Sequence, residues 1–153
     1  MEALIIYGPS GSGKSTLAES VLDGAEYAVR IERDVIRAEV IPGFHENGWN
    51  GYKPFSPWED VVTFYWHSEI YRAQELCRNI IISDTLCKKK ERDKVKFLLE
   101  TLGYEVEFFR MDTSLETCIK RDALRDNRSV GETVILQQFE NLNKGYYFEN
   151  IYV

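Results

Sequence analysis

Hydrophobic and polar positions alternate between two patterns along this chain. Ala3-Leu-Ile-Ile-Tyr7 and Asn79-Ile-Ile-Ile-Ser-Asp84 contain short continuous apolar runs, as strands covered on both faces of a parallel sheet do. Two further apolar segments, Glu26 to Ile31 and Tyr104 to Arg110, read as additional strands. Helix-like segments lie between and after them, at Lys14 to Leu22, Arg33 to Val40, Pro57 to Arg78, Lys88 to Leu102, Ser114 to Arg125 and Glu132 to Leu142. Gly103 follows the fourth of these as a helix stop, and Ser114 opens the fifth as a capping serine, although Thr117 makes an imperfect capping box. Strands alternating with helices predict right-handed crossovers and a three-layer α/β/α fold, with a parallel sheet of about four to five strands. With no internal repeat and no dividing linker, residues 1–153 are expected to form a single domain.

Two segments resist this pattern. Pro42 to Trp58 holds three prolines, three glycines and five large aromatics, Phe44, Trp49, Tyr52, Phe55 and Trp58. It reads as a loop whose aromatics either stack on the bases of a single strand or cover the sheet edge or a subunit contact. The apolar tail Tyr146 to Val153 is compatible with an extra strand or with an interface joining copies of the chain.

Composition narrows the class. The 44% hydrophobic and 29% charged residues are those of a globular chain, and three cysteines without a C-x-x-C pair indicate neither a disulfide framework nor a zinc site. There is no signal-peptide core and no membrane-spanning run, so a cytoplasmic protein that does not meet a membrane is expected. The net charge of −6 opposes nucleic-acid binding through the bulk field. Residues 86–128 are nevertheless net positive, with 11 basic and 9 acidic side chains. Runs such as Lys88-Lys89-Lys90 fit a solvated helix face first, and leave a local phosphate groove as the alternative.

The clearest chemistry lies between the first strand and the first helix. Gly8-Pro-Ser-Gly-Ser-Gly-Lys-Ser15 matches G-x-x-x-x-G-K-[ST] at every required position. Gly8, Gly11 and Gly13 let the backbone around Ser10 and Ser12 turn its N–H groups toward phosphate oxygens, and the helix start adds its dipole. Lys14 is expected at the β and γ phosphates, the Ser15 hydroxyl on Mg²⁺ and Thr16 at the α phosphate. No N-K-x-D guanine motif follows, which favours phosphoryl transfer from ATP to a bound acceptor.

Ligands of open α/β sheets bind at the carboxyl ends of the strands. Asp34 follows the second strand and could accept a proton from an attacking hydroxyl, with Arg37 one turn later suited to an acceptor phosphate. A capping aspartate with a helix ion pair is the alternative. Asp84 ends the Ile80-Ile-Ile-Ser-Asp84 run in the place of a Walker B carboxylate, where it could hold a Mg²⁺ water or orient Ser15, or simply form the strand-end turn. Arg121, Arg125 and Arg128 recur at spacings of four and three, as in a lid around residues 119–131 that closes over the donor phosphates, or as in a charged helix face.

With these residues in place the chain resembles the P-loop 5′-hydroxyl polynucleotide kinases of bacteriophage type, relatives of the adenylate-kinase-like small-molecule kinases. The likeness rests on Gly8 to Thr16, Ile31-Glu-Arg-Asp-Val-Ile-Arg37, Ile81-Ile-Ser-Asp-Thr85 and Ile119 to Val130. It implies a P-loop NTPase fold with an arginine-bearing helical lid, ATP as phosphate donor and Mg²⁺. Lys14 and Ser15 then resemble the phosphate-loop pair, and Asp34 the general base for the 5′-hydroxyl. Arg37 is similar to the arginine on the acceptor's adjoining phosphate, Asp84 to the essential strand-end aspartate, and Arg125 to the lid arginine. Arg33 and Thr85 fall within the same acceptor motifs. Family members often carry a phosphatase domain after the kinase, so 3′-end processing is expected from another protein.

The implied activity is transfer of the γ-phosphate of ATP to 5′-hydroxyl ends of DNA or RNA in nucleic acid repair, in the host cytoplasm for a phage-encoded protein. Kinase action on a small molecule such as a nucleoside, sugar or antibiotic is the competing expectation. A nucleotide-sensing module without catalysis is a third.

Overall fold

The computed structural model describes residues 1–49 and 57–149. Four strands form one sheet: β1 (Glu2–Tyr7), β2 (Ala28–Ile31), β3 (Asn79–Asp84) and β4 (Glu105–Arg110). Their spatial order is β2-β3-β1-β4, and every pairing is parallel. Among the described residues, seven helices accompany them: α1 (Lys14–Asp23), α2 (Arg33–Val40), α3 (Phe44–Asn47), α4 (Pro57–Glu75), α5 (Lys89–Thr101), α6 (Leu115–Ala123) and α7 (Glu132–Glu149).

The apolar runs divide their side chains between the two faces, because successive strand residues point in opposite directions. Ile5, Ile31, Ile80 and Ile82 join Ile36 of α2, Val62, Trp66 and Ile70 of α4, and Val95 and Leu99 of α5 in the larger cluster. Ile6 and Ile81 turn the other way and pack with Ala18, Leu17 and Val21 of α1. These two clusters make the three layers expected from the sequence, with the lower number of strands.

Several boundaries differ from the sequence reading. The segment 42–58 is not a uniform loop: Phe44 opens the short helix α3 and is buried, with Trp49 edge-on to it at 5.2 Å. Those two rings therefore cover the core, while Tyr52 and Phe55 lie outside the described residues. Of the two readings of the tail, an extra strand or an interface, the strand is absent over 146–149, where α7 runs on to Glu149; residues 150–153 lie outside the described residues. Helix α6 stops at Ala123, and Asp126 in left-handed backbone (φ 48°) starts a single 3₁₀ turn through Arg128. Ser114 does cap α6: its hydroxyl accepts from the Thr117 N–H at 3.2 Å and donates to the Thr117 hydroxyl at 2.8 Å.

Parallel pairing aligns the strand ends that matter. Tyr7 of β1 stands beside Asp84 of β3 on one side and Arg110 of β4 on the other. Gly8 then donates its N–H to the Thr85 carbonyl at 3.1 Å, so the glycine loop and the end of β3 leave the sheet together. Among the described residues, no helix is long and apolar enough to cross a membrane.

Ile82 is wholly buried at the centre of the larger cluster. Ile82→Ala is expected to lower the unfolding free energy by about 2–5 kcal/mol in a urea titration. Phe97→Ala, on the exposed side of α5, is expected to change it by less than about 0.5 kcal/mol.

Candidate active site

The loop from Gly8 to Gly13 is held in place by packing and by hydrogen bonds from distant parts of the chain. Gly11 has φ 78°, and a Cβ there would stand 2.4 Å from the Cys118 carbonyl oxygen, so α6 lies against the loop at a distance only glycine permits. Gln138 of α7 accepts from the Ser10 N–H at 2.9 Å, and Thr113 donates its hydroxyl proton to the Ser12 carbonyl at 2.8 Å. Gly13, with φ 93°, is the residue from which α1 begins. Lys14 folds back to donate to the Pro9 carbonyl at 2.8 Å. Burial pushes the Lys14 pKa down, partly countered by the nearby carboxylates of Asp84 and Glu32. An anion in the loop would supply the partner that burial calls for.

Ser15 meets a carboxylate, but not the one expected. Its hydroxyl donates to the Glu32 carboxylate at 3.0 and 3.2 Å. Glu32 also accepts from the Ser83 hydroxyl at 2.8 Å and pairs with the Arg30 guanidinium. Arg30 and Glu32 flank Ile31 in the strand direction, so both turn to the face opposite Ile31, where Ser15 and Ser83 lie. Asp84, by contrast, accepts from the Arg33 N–H at 2.8 Å with one oxygen and from the Trp66 indole N–H at 3.1 Å with the other. Orienting Ser15 is thus the work of Glu32, while Asp84 fixes the start of α2 and the middle of α4. Burial pushes the Asp84 carboxyl up to about 6, against the opposing pull of the Arg33 N–H and guanidinium.

The expected Asp34–Arg37 pair is present across one helical turn, with Arg37 Nη1 donating to Asp34 at 2.7 Å. Arg37 also grips Glu59 of α4 through Nε at 2.9 Å and Nη2 at 3.2 Å, and lies 5.2 Å over the Trp49 ring. Burial opposes its charge, yet the bonds to Glu59 and Asp34 prevail and raise its pKa above the ordinary value. Asp34 is not a helix cap; the residue before α2 is Glu32, which makes no side-chain cap bond. Arg33 donates to the Thr63 hydroxyl at 3.1 Å and stacks 4.9 Å over Trp66.

Two cavities open on these residues. One, of about 750 Å³, is bordered by Gly11 to Leu17, Met111, Arg121 and Arg125. The other, of about 490 Å³, is bordered by Ser10, Glu32, Arg33, Asp34, Arg37, Trp49, Asp84 and Thr85, with Val130, Val134 and Gln138 from the far side. Lys14, Ser15 and Arg125 line both. Arg128 lines neither; its guanidinium sits 5.1 Å over Phe44. The end of α6 at Ala123 explains this, because the spacing of four and three no longer describes one helix face beyond that point.

The family model described as an AAA domain matches residues 4–148. The chain belongs to the AAA domain family. It is 27% identical over 154 residues to the "Putative bifunctional polynucleotide kinase/RNA ligase" of Autographa californica nuclear polyhedrosis virus, an alignment covering 97% of this chain and 22% of the viral protein. Among solved structures it resembles a chain of the Pnkp1/Rnl/Hen1 RNA repair complex, with TM-score 0.74 and 23% identity over 94% of this chain and 44% of that one. It also resembles a gluconokinase from Sinorhizobium meliloti 1021, with TM-score 0.61 and 21% identity over 92% of this chain and 74% of that one. At these identities the solved structures speak for the fold, a P-loop kinase fold. The chain spans about a fifth of the viral relative's length and under half of the repair-complex chain.

Four residues of this AAA domain belong to the site without having been singled out in the sequence: Glu32, Glu59, Asp122 and Gln138. Asp122 is buried and accepts from the Ser129 hydroxyl at 2.8 Å and from the Val130 and Gly131 N–H groups at 3.1 and 3.0 Å. It thereby ties the segment after Arg125 back to α6 and fixes where Val130 borders the second cavity.

The raised Asp84 pKa has a consequence for stability. A carboxyl at about 6 in the folded domain, against an ordinary 3.8, holds its proton more tightly folded than unfolded. Its contribution to stability is complete below about pH 4 and is lost as pH rises to about 6. Urea midpoints of the ligand-free protein between pH 4 and 7 are expected to lose this downward contribution in Asp84→Asn; an unchanged slope in that variant would assign the titration to another group.

Proposed function

We propose that this AAA domain is an ATP-dependent 5′-hydroxyl polynucleotide kinase that restores 5′-phosphate ends during nucleic acid repair. The observation that carries the reading is the meeting of two cavities at Lys14, Ser15 and Arg125. One is floored by the phosphate loop and suits the donor; the other is lined by four carboxylates, Asp34 among them, and three arginines, Arg33 and Arg37 among them, and suits an acceptor. A phosphoryl group passing between them would cross the two cations, Lys14 and Arg125, best placed to neutralise it.

The chemistry follows from the side chains. ATP lies in the first cavity with its β and γ phosphates on the loop N–H groups and Lys14, which gives up its bond to the Pro9 carbonyl. Thr16 borders the same cavity, which supports a contact with the α phosphate. Arg121 and Arg125 reach the donor phosphates from α6 and the segment after it; Arg128 is withdrawn from that role. An acceptor 5′-hydroxyl beside Asp34 loses its proton to that carboxylate as its oxygen bonds to the γ phosphorus, and the bond from phosphorus to the departing ADP oxygen breaks. Arg37 has two N–H groups left after its three bonds to Glu59 and Asp34, enough to receive the phosphate next to the reacting sugar. Arg33 and Thr85 border the same space.

Mg²⁺ fits one corner of the site. The Ser15 hydroxyl and Glu32 carboxylate form an all-oxygen pair of the kind a hard cation takes together with phosphate oxygens and water. Among the described residues, no group of three or more His, Cys, Asp or Glu could hold a metal without such added ligands. Bound there, Mg²⁺ would neutralise charge on the donor phosphates. Asp84, with both oxygens engaged, is a positioning residue that could still meet a metal-bound water.

The gluconokinase likeness and a cavity volume within the range of small-molecule sites favour one alternative, a kinase of a small hydroxylated acceptor. Transfer of labelled γ-phosphate from ATP separates the two. Oligonucleotides ending in a 5′-hydroxyl are expected to be labelled and those ending in a 5′-phosphate are not. Asp34→Ala is expected to lose about 10²- to 10⁴-fold in rate while still binding ATP. Labelling of nucleosides or sugars alone would move the assignment to the small-molecule kinases, and full turnover by Asp34→Ala would remove the base.

A further inference from the structure

The acceptor cavity does not end at Asp84. A cleft of about 470 Å³ between α4 and α5 shares Arg33, Arg37, Asp84 and Thr85 with it and reaches out to His67, Glu91 and Lys94. Its inner wall is apolar, from Leu86, Val95 and Leu98. Lys94 in turn borders the outer surface of α5, together with Lys89, Lys90, Asp93 and Phe97. The phosphate loop is therefore joined, through residues shared from one cavity to the next, to a basic helix face.

That face has the chemistry of a nucleic-acid track. Lys90, Lys94 and Phe97 are spaced by four and three residues, so they form one stripe along α5, about 10 Å long. Lys89 is paired with Asp93 at 3.0 Å and Lys96 with Glu100 at 3.7 Å. Among the described residues, no ion pair engages Lys90 or Lys94. Phe97 is 74% exposed, so its ring is open to a stacking partner. Two cations and a bare ring, at the mouth of a cleft that leads to the transfer point, match a strand offering alternating phosphates and bases.

We infer that α5 is the path of the acceptor strand, with Lys94 and Lys90 holding the phosphates beyond the first nucleotide and Phe97 stacking a base. The inference rests on the polynucleotide kinase reading and extends it from the reacting end to the rest of the strand. The acidic chain makes such a path necessary: with a net charge of −6, the protein can attract a polyanion only along a local basic stripe. Glu91, which borders the cleft, sits on the inner side of this stripe and leaves Lys90 and Lys94 as its outward charges.

The test compares acceptors of increasing length, from a nucleoside 3′-monophosphate to a single-stranded decamer, in the wild type and in Lys90→Ala, Lys94→Ala and Phe97→Ala. The wild type is expected to show a KM that falls as the acceptor lengthens. Each variant is expected to raise KM for the decamer by roughly five- to tenfold with kcat unchanged, and to leave the nucleoside monophosphate unaffected. The two lysine variants are also expected to flatten the salt dependence of decamer binding by about 0.7 in log–log slope each. Variants matching the wild type at every length overturn the path while leaving the kinase reading in place. A wild type that phosphorylates no nucleotide acceptor of any length overturns the kinase reading, and the path with it.

Discussion

The arrangement of the site depends on the parallel pairing of β1 with β3. Because Tyr7 and Asp84 are aligned in that pairing, Gly8 and Thr85 leave the sheet side by side, joined by the Gly8 N–H and the Thr85 carbonyl. The phosphate loop is thereby set against the strand end that carries Asp84, and Asp84 in turn fixes α2 through the Arg33 N–H and α4 through Trp66. Asp34 and Arg37 ride on that same α2. A change in β1–β3 register would separate the phosphate loop from the acceptor side, whatever the residues on each.

Charge is the second constraint, since the site gathers cations and carboxylates out of water. Lys14 and Asp84 both have pKa values shifted by burial toward their neutral forms. Arg37 keeps its charge because two carboxylates surround it. Glu32 is satisfied by Ser15, Ser83 and Arg30 together. Such a network is costly when half-satisfied, and an incoming nucleotide completes it: the phosphates give Lys14 an anionic partner. The ligand-free domain is thus arranged around the charge it is to receive, which is how preorganised sites spare the reaction from reorganising its surroundings.

The parts of this site that were legible in the sequence are those whose spacing is local. Gly8 to Ser15 defines its own backbone course, and Asp34 with Arg37 is a one-turn helix pair seen again at 2.7 Å. The four strands were also visible, β1 and β3 as buried apolar runs and the more exposed β4 as the segment that follows the helix stop at Gly103. What the sequence did not disclose comes from distance along the chain. Glu59 meets Arg37 across 22 residues and Gln138 meets Ser10 across 128, and no periodicity marks either. Glu32 left a faint signal, as a charged residue alternating with Ile31 at a strand end. Arg128 shows the limit of regular spacing: the helix ends at Ala123, and in the ligand-free domain the guanidinium lies over Phe44.

The central claim is that donor and acceptor approach from opposite cavities and react directly at Lys14, Ser15 and Arg125, with no residue of the protein carrying the phosphoryl group. The stereochemical course at phosphorus tests it most directly. With ATP made chiral at the γ phosphorus by isotopic oxygen, a single in-line displacement predicts inversion of configuration in the phosphorylated acceptor. Retention would require two successive displacements through a phosphorylated intermediate, and would contradict the account.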